Sequence, residues 1–576
     1  MRDAAGHRTD PLLEPAQSPA GAAGTVGVVL TVIGLGFVVP LVIASHYGAL
    51  GIARSDDWSY LVTLFRWVDH GRLSFNHWVS MTLVGQLVLT APVVAVLGRS
   101  IAAAQVTTAA LGTVGLGAVV VAARRSPLPR WIAALIAASI ALGPLWGPLA
   151  ASFMTDVPAF ALSSVAIACG VESLRSRASA NRWLVASLAT GFVAFTIRQY
   201  AVVPALAIAA THCWSAIADG HRIRARRVAA GGVLVVVGAV LFLGWWRTVP
   251  DVRSLAPALP TAHAVSRLVI KGAGFLRLSG LLLLPVLVAA RPGTLVRRSW
   301  EASAPLTSIV AAGATVWLAA TGLIAHNDLF VGNYVVRDGV LSDIVTIGPR
   351  PDVFPAVAWL ILVIVASVAG IVLAVALVPW FVGLLERVRT RDWRPRRRIE
   401  SFLVLVVLGY VATLALAVAS GFQVYDRYLL PVLPAAAILL AHRRLVTSRA
   451  TDDRRSRVLT VVALVALAGV GISFTAESAS FDGARWRAAT AATHSGWRAM
   501  EVNGGFEWLN YHRRDRGTPA SVRRERICVT VHVDPHVPPD RVVASVESTA
   551  PTRRNARVVA YRTDVPCRAP RRSARP

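Results

Sequence analysis

The sequence predicts an all-α polytopic membrane protein with a small α+β domain near its C-terminal end. Hydrophobic residues make up 55% of the 576 positions. They come in blocks of about 15 to 25, and an apolar run of about 20 residues makes a helix of roughly 30 Å, enough to cross a bilayer. After Glu477 the blocks stop and shorter alternating runs follow. A membrane-spanning barrel would need alternation of apolar and polar residues along every strand, which the long blocks lack.

The formal net charge is +28. In a soluble protein that excess would point to nucleic acid. Here the arginines lie mostly in short loops between apolar blocks, so the bilayer is the expected partner and nucleic acid is not. Met1 to Ala23 is polar, and the first apolar run, Thr25 to Ala44, is too long for the core of a cleavable signal peptide. It reads as a signal anchor behind a cytoplasmic tail of residues 1–24.

Arginine clusters recur at 124–130, 175–182, 222–227, 291–298, 387–398 and 443–457. The positive-inside rule places all six in the cytoplasm, so each consecutive pair must enclose an even number of crossings. Runs at 131–151 and 157–173, 183–197 and 201–218, 229–247 and 272–290, 306–325 and 355–385, and 401–420 and 429–441 supply those pairs. A last span at 458–474 leaves the cell. A full crossing by Val79 to Gly98 would put the first arginine cluster or the N-terminus outside, so it reads as a re-entrant or interfacial helix on the outer side; Ile101 to Ala123 then returns the chain to the cytoplasm. The expectation is about thirteen crossings in the plasma membrane, with the N-terminus cytoplasmic and the C-terminus outside. The transmembrane domain covers 25–475, with a first outer loop at 45–100.

Residues 476–566 are expected to form the extracytoplasmic domain, with strands at Ile527–Val533 and Arg557–Tyr561. Cys528 and Cys567 are plausible disulfide partners outside the cell, a closure worth about 4 kcal/mol. Cys169 and Cys213 fall in apolar spans and read as core. The Arg- and Pro-rich end, 567–576, reads as disordered.

Acids are scarce, 31 in the whole chain, and a carboxylate at a membrane boundary is costly unless something uses or pairs it. Asp56 and Asp57 stand together just past the first span, followed by Tyr60, Asn76, His77 and Trp78. The later outer turns carry Thr155-Asp156-Val157-Pro158, Arg198-Gln199-Tyr200, His326-Asn327-Asp328, Gly332-Asn333-Tyr334 and Tyr425-Asp426-Arg427-Tyr428. Each has a plain reading. Tyr and Trp gather at interfaces, Asp156 can cap the helix after it, Arg198 can snorkel, and Arg427 can pair with Asp426. Their concentration on one face favours a polar cavity at the membrane surface, where aromatic side chains suit sugar rings and isolated arginines suit a lipid phosphate.

Asp56-Asp57-Trp58-Ser59-Tyr60 resembles the acidic first-loop motif of the GT-C superfamily of membrane glycosyltransferases. Thr155-Asp156-Val157-Pro158 is similar to that family's second acidic turn. Asp426-Arg427-Tyr428-Leu429-Leu430-Pro431 resembles a segment of its protein mannosyltransferase and lipid A aminoarabinose transferase branch. Two departures stand out: Asp57 takes the place of the commoner Glu, and Asn76-His77-Trp78 replaces His-Pro-Pro. The resemblance covers residues 25–475. It implies inverting transfer of a monosaccharide from a polyprenyl-phosphate carrier to an acceptor hydroxyl on an extracytoplasmic glycan, lipid or protein. Asp56 would be the general base and Asp57 the second catalytic carboxylate. Arg198 and Arg427 would hold the donor phosphate. Tyr60, His77, Asp156, Gln199, Tyr200, Asn333 and Tyr428 would contact substrate. No metal or other cofactor is expected to be obligatory, with a divalent cation between Asp56 and Asp156 as the alternative. The rival reading is a polytopic transporter or lipid-linked sugar flippase. Transporters commonly place ionisable residues at mid-span and repeat one half of the fold; here the acids lie in outer turns and no repeat is evident. A wall-polymer polymerase using lipid-diphosphate donors is a further reading within the enzyme class.

Overall fold

A computed structural model describes residues 22–176, 178–253, 262–324, 329–341, 350–391, 395–445, 454–513 and 526–567. Most of the expected tails (1–21 of 1–24 and 568–576 of 567–576) and His326-Asn327-Asp328 lie outside the described residues. The chain is a multi-pass helical membrane protein. Among the described residues, nine helices are long and apolar enough to cross a bilayer. The other expected crossings fall on shorter, broken or more polar helices: Arg130–Ala141 with Trp146–Ala150, Ala180–Phe195, Ala262–Leu282 with Leu284–Ala289, and Leu433–Leu445 behind a 3-10 turn at Asp426–Val432.

The lipid-facing sides are apolar without interruption. On Arg222–Thr248, Leu234 is 71% and Leu241 69% exposed, a surface tolerable only in hydrocarbon. Between helices, small residues permit close approach. A Cβ at Gly280 would lie 2.3 Å from the backbone nitrogen of Gly370, so Ala262–Leu282 and Ala356–Thr390 cross backbone to backbone.

Val84–Leu97 is a short apolar helix whose two ends are tied to neighbouring turns. Leu83 N and Gly85 N donate to Ile197 O and Thr196 O at its start. At its end, Arg99 Nε donates to Asp69 Oδ1 at 2.7 Å. The next helix opens beside the first loop, where Gln105 Oε1 accepts from Gly51 N at 2.8 Å.

The last span does not stop at the membrane. Arg454–His494 is one helix of 41 residues, about 60 Å long, running unbroken through the boundary expected at 475–476. Its outer half carries Glu477, Asp482 and Arg485 and becomes the core helix of the C-terminal domain. Gly483 packs directly on the end of the first span, where a Cβ would sit 2.1 Å from Tyr47 O. Against this helix lies a four-stranded sheet of order β1-β2-β4-β3. Its strands are β1 Val502–Asn503, β2 Val529–Val533, β3 Val542–Ala550 and β4 Arg553–Arg562. β1 runs parallel to β2, and the other pairs are antiparallel. Val529, Val531 and Val533 alternate inward, as a half-buried strand requires. Cys528 and Cys567 form a disulfide with Cα atoms 5.8 Å apart, tying the start of β2 to the chain beyond β4.

Candidate active site

The first outer loop turns sharply at Ser55, whose φ is +57°, and then enters helix Asp57–His70. Asp56 and Asp57 are adjacent in sequence but diverge, because successive helical residues point about 100° apart. Asp57 is fully buried. Its Oδ1 accepts from Arg54 N at 2.5 Å and its Oδ2 from Phe153 N at 3.0 Å. Burial pushes its carboxyl up to about 8, against the pull of those two N–H groups. The second acid of the expected catalytic pair thus serves as a strut between the first two outer turns, with both oxygens spent on backbone.

Asp56 is part-exposed, with 25% of its side chain accessible. Oδ1 accepts from Trp78 Nε1 at 3.0 Å and Oδ2 from Arg427 Nη2 at 3.1 Å. Asn76 fixes this side: its Nδ2 donates to Ser59 O and its Oδ1 accepts from Trp78 N.

Arg427 is the hub. It is 2% exposed, its Nη1 donates to Asn333 Oδ1 at 2.9 Å, and its Nε lies 3.6 Å from Asp156 Oδ2. The guanidinium carbon sits 5.0 Å from the Tyr425 ring centre and 5.8 Å from that of Tyr428. Burial works against its charge, but Asp156, Tyr428 and Asp56 outweigh that and hold its pKa well above the ordinary value. Asp156 is fully buried and is also met by Arg198 Nη2 at 3.0 Å and by Tyr200 O–H at 3.4 Å. The helix it begins has Thr155 at its N-cap, with no side-chain capping bond. Arg198 also lies 4.9 Å from the Tyr428 ring centre. Tyr60 is buried among these charges with no hydrogen-bond partner for its hydroxyl. Burial first, then the Asp56 charge, keep that hydroxyl protonated.

Asp426 does not pair with the Arg427 side chain. Its Oδ2 accepts from the backbone N–H of Tyr334 and of Val335, each at 2.7 Å, and its Oδ1 from Arg427 N. These bonds pin the turn that presents Asn333 at a φ of +107°. From the other side, Arg277 Nη1 donates to Leu329 O at 2.8 Å.

Seven expected residues thus come together: Asp56, Tyr60, Asp156, Arg198, Tyr200, Arg427 and Tyr428, with Asn333 completing the set. His77 and Gln199 are held by other partners. His77 Nε2 is 2.9 Å from Asp251 Oδ1 on a neighbouring outer turn, and Gln199 Nε2 donates to Ser80 O.

The C-terminal domain adds a layer that the sequence did not reveal. Arg54 Nε meets Asp482 Oδ2 at 2.9 Å, and Arg54 Nη2 donates to Ser478 Oγ at 2.7 Å. Glu507 takes Arg485 through both oxygens, at 2.8 and 2.5 Å, and Glu507 Oε1 also accepts from Ser55 N at 3.4 Å. Phe506 lies 5.0 Å from the ring of Trp78 and 5.9 Å from that of Trp58. The turn at 503–508 therefore holds Ser55 and the indole that bonds Asp56, while Ser478 and Asp482 on the long helix hold Arg54. Among the described residues, no group of three or more His, Cys, Asp or Glu side chains could hold a metal ion. Between Asp56 and Asp156 stands the Arg427 guanidinium, so this pair as arranged does not fit a bridging cation.

No protein-family model matches the chain, and no curated protein matches it. Among solved structures, the chain is similar to Cupriavidus metallidurans ArnT bound to undecaprenyl phosphate, with 15% identity and a TM-score of 0.44 over 94% of this chain and 98% of that one. It is also similar to the Archaeoglobus fulgidus oligosaccharyltransferase in its apo form, with 11% identity and a TM-score of 0.42 over 88% of this chain and 65% of that one.

Proposed function

We propose that this protein is a membrane glycosyltransferase that moves a monosaccharide from a polyprenyl-phosphate carrier to an acceptor hydroxyl on the extracytoplasmic face, with inversion. The observation that carries this reading is the state of Asp56. It is a part-exposed carboxylate at the mouth of a cluster in which every other charge is buried and paired.

Asp56 would take the proton of the acceptor hydroxyl as its oxygen attacks the anomeric carbon. The bond from that carbon to the phosphate oxygen breaks, and the lipid phosphate leaves with the electron pair. A phosphate is a good leaving group, so no strong general acid is required. Arg427 and Arg198 would meet its growing charge. Both are engaged with Asp56 and Asp156 in the structure, so donor binding would exchange one of these pairings for the phosphate. Asp156, held by two arginines and a tyrosine, would keep the guanidinium planes oriented. Tyr60, Tyr200, Asn333 and Tyr428 would contact the sugar or its phosphate. The reaction would need no metal, because Arg427 supplies the positive charge between the carboxylates. The arginine clusters on the opposite face support a site outside the cytoplasm.

The test is a transfer assay with purified wild-type and Asp56→Asn protein, a panel of radiolabelled polyprenyl-phosphate sugars, and envelope extract as acceptor. The expected result is label transfer by wild type and a loss of about 10²–10⁴-fold in the variant. No transfer from any donor by folded wild-type protein would return the reading to a transporter or to a diphosphate donor.

A further inference from the structure

The structure points to a second ligand site on the face opposite the active site. Helices Ala180–Phe195 and Arg222–Thr248 run side by side. Near the active-site face they touch: the Phe195 and Phe242 rings are 5.9 Å apart, and a Cβ at Gly238 would be 3.2 Å from Phe192. The last close approach is Gly231, where a Cβ would be 3.3 Å from Leu188. Toward their starts the two helices part and leave an open cleft of about 960 Å³. Arg198 follows the far end of the first helix, so the cleft lies a full helix length from the catalytic cluster.

The lining of the cleft is divided. Arg222, Arg224 and Arg227 line it with exposed cations, and Leu184, Leu188 and Val228 form its apolar inner wall. No acidic side chain among the described residues pairs with these three arginines. The nearest acid in sequence, Asp219, is bonded to Arg398 at 2.6 Å.

Arginines at a cytoplasmic membrane boundary ordinarily need no ligand, since they reach headgroups and water. The cleft changes this reading. Three cations open onto a cavity whose inner wall is apolar, and its size is at the upper end of small-molecule sites, about 300–1,000 Å³. A free phosphate would satisfy the arginines and leave the wall bare. A neutral lipid would cover the wall and leave the cations unmatched. We infer that the cleft binds an anionic glycerophospholipid of the leaflet opposite the active site. Its phosphate would sit among Arg222, Arg224 and Arg227, and an acyl chain would lie along Leu184, Leu188 and Val228. The bound lipid would brace the diverging ends of two helices whose other ends carry the active site.

The experiment uses full-length protein in a neutral detergent, titrated with phosphatidylglycerol, phosphatidylcholine or inorganic phosphate. Melting temperature and retained lipid mass are the readouts. The expected result is a rise of several degrees, with retention of one lipid, for phosphatidylglycerol only. In R222Q/R224Q/R227Q protein that rise is lost, while transfer activity is kept. An equal rise with phosphatidylcholine or with phosphate, or an undiminished rise in the variant, would overturn the site. Should the triple variant fail to fold, photoactivatable phosphatidylglycerol on the wild type decides. Adducts at 184–188 and 228–231 support the cleft, and adducts confined elsewhere refute it.

Discussion

Arg427 and Asp56 are 371 residues apart in sequence and meet at 3.1 Å, with the arginine 2% exposed and the carboxylate 25%. The buried partner fixes the orientation of the accessible one. Asp56 is thereby held in one geometry while keeping an open side for an acceptor.

Arg427→Lys keeps the charge but loses the fork that reaches Asp56, Asp156 and Asn333 together. Its donor KM should rise about tenfold or more, with acceptor KM little changed, a difference readable from steady-state kinetics in each substrate. Arg427→Ala should cost more, because Asp156 keeps only Arg198 and the Tyr200 hydroxyl; breaking a buried pair costs about 3–5 kcal/mol. A rise in acceptor KM alone would assign Arg427 to the other substrate.

Trp78 and Phe506 should act as one unit. Trp78→Phe deletes the N–H that bonds Asp56, and Phe506→Ala removes the ring that holds the indole in place. Each single change should lower kcat, and the double variant should lose little more than the worse single one. Additive losses in a double-mutant cycle would mean that Phe506 does not act through Trp78.

Asp57 makes stability depend on pH with a definite sign. Its carboxyl is pushed from 3.8 up to about 8 in the folded protein, so the native state holds a proton that the unfolded state releases. This contribution is full below about pH 4 and is lost as pH rises through about 8. Asp426, pushed up to about 6, and Glu507, also raised by burial, act in the same direction. The melting temperature should fall between pH 5 and 9, and Asp57→Asn should show a shallower fall. A slope of the opposite sign in wild type would refute this account.

The disulfide should matter to the outer domain far more than to the spans. Its two cysteines are 39 residues apart, and closing such a loop stabilises by about 4 kcal/mol. Cys528→Ser with Cys567→Ser should expose the tail to added protease from outside, while the membrane-inserted fragment stays protected.

The spans were legible because bilayer thickness imposes a length and composition on each one. The local charges were legible too: Asp56, Asp156, Arg198 and Arg427 sit where a plain polar loop residue would be expensive. What pairs with what was not legible. Nothing around Asp56 encodes an arginine 371 positions away, nor does Asp57 announce that Phe153 N–H will claim it. His77 and Gln199 looked like ligands by type and place; their partners, Asp251 and Ser80, were set by how separate turns meet. The helix was expected to stop near 474 because its hydropathy falls there. It continues because Glu477, Asp482 and Arg485 exchange lipid contact for buried ion pairs, a change in solvent and not in backbone. β3 was missed because its apolar alternation is broken: the face that carries Ala544 and Val546 continues with the buried Ser548, set against Ser480.

The unbroken helix Arg454–His494 works as a shaft. Ser478 and Asp482, which grip Arg54, and Arg485, which grips Glu507, share one rigid rod with the residues that anchor it in lipid. Each residue added or removed between Gly471 and Ser478 would turn the outer end by about 100°. The grip on the loop carrying Asp56 would then swing to another side of the rod. The length of this stretch is therefore a phase setting, and two deletions of equal size in the loops elsewhere would not carry the same penalty.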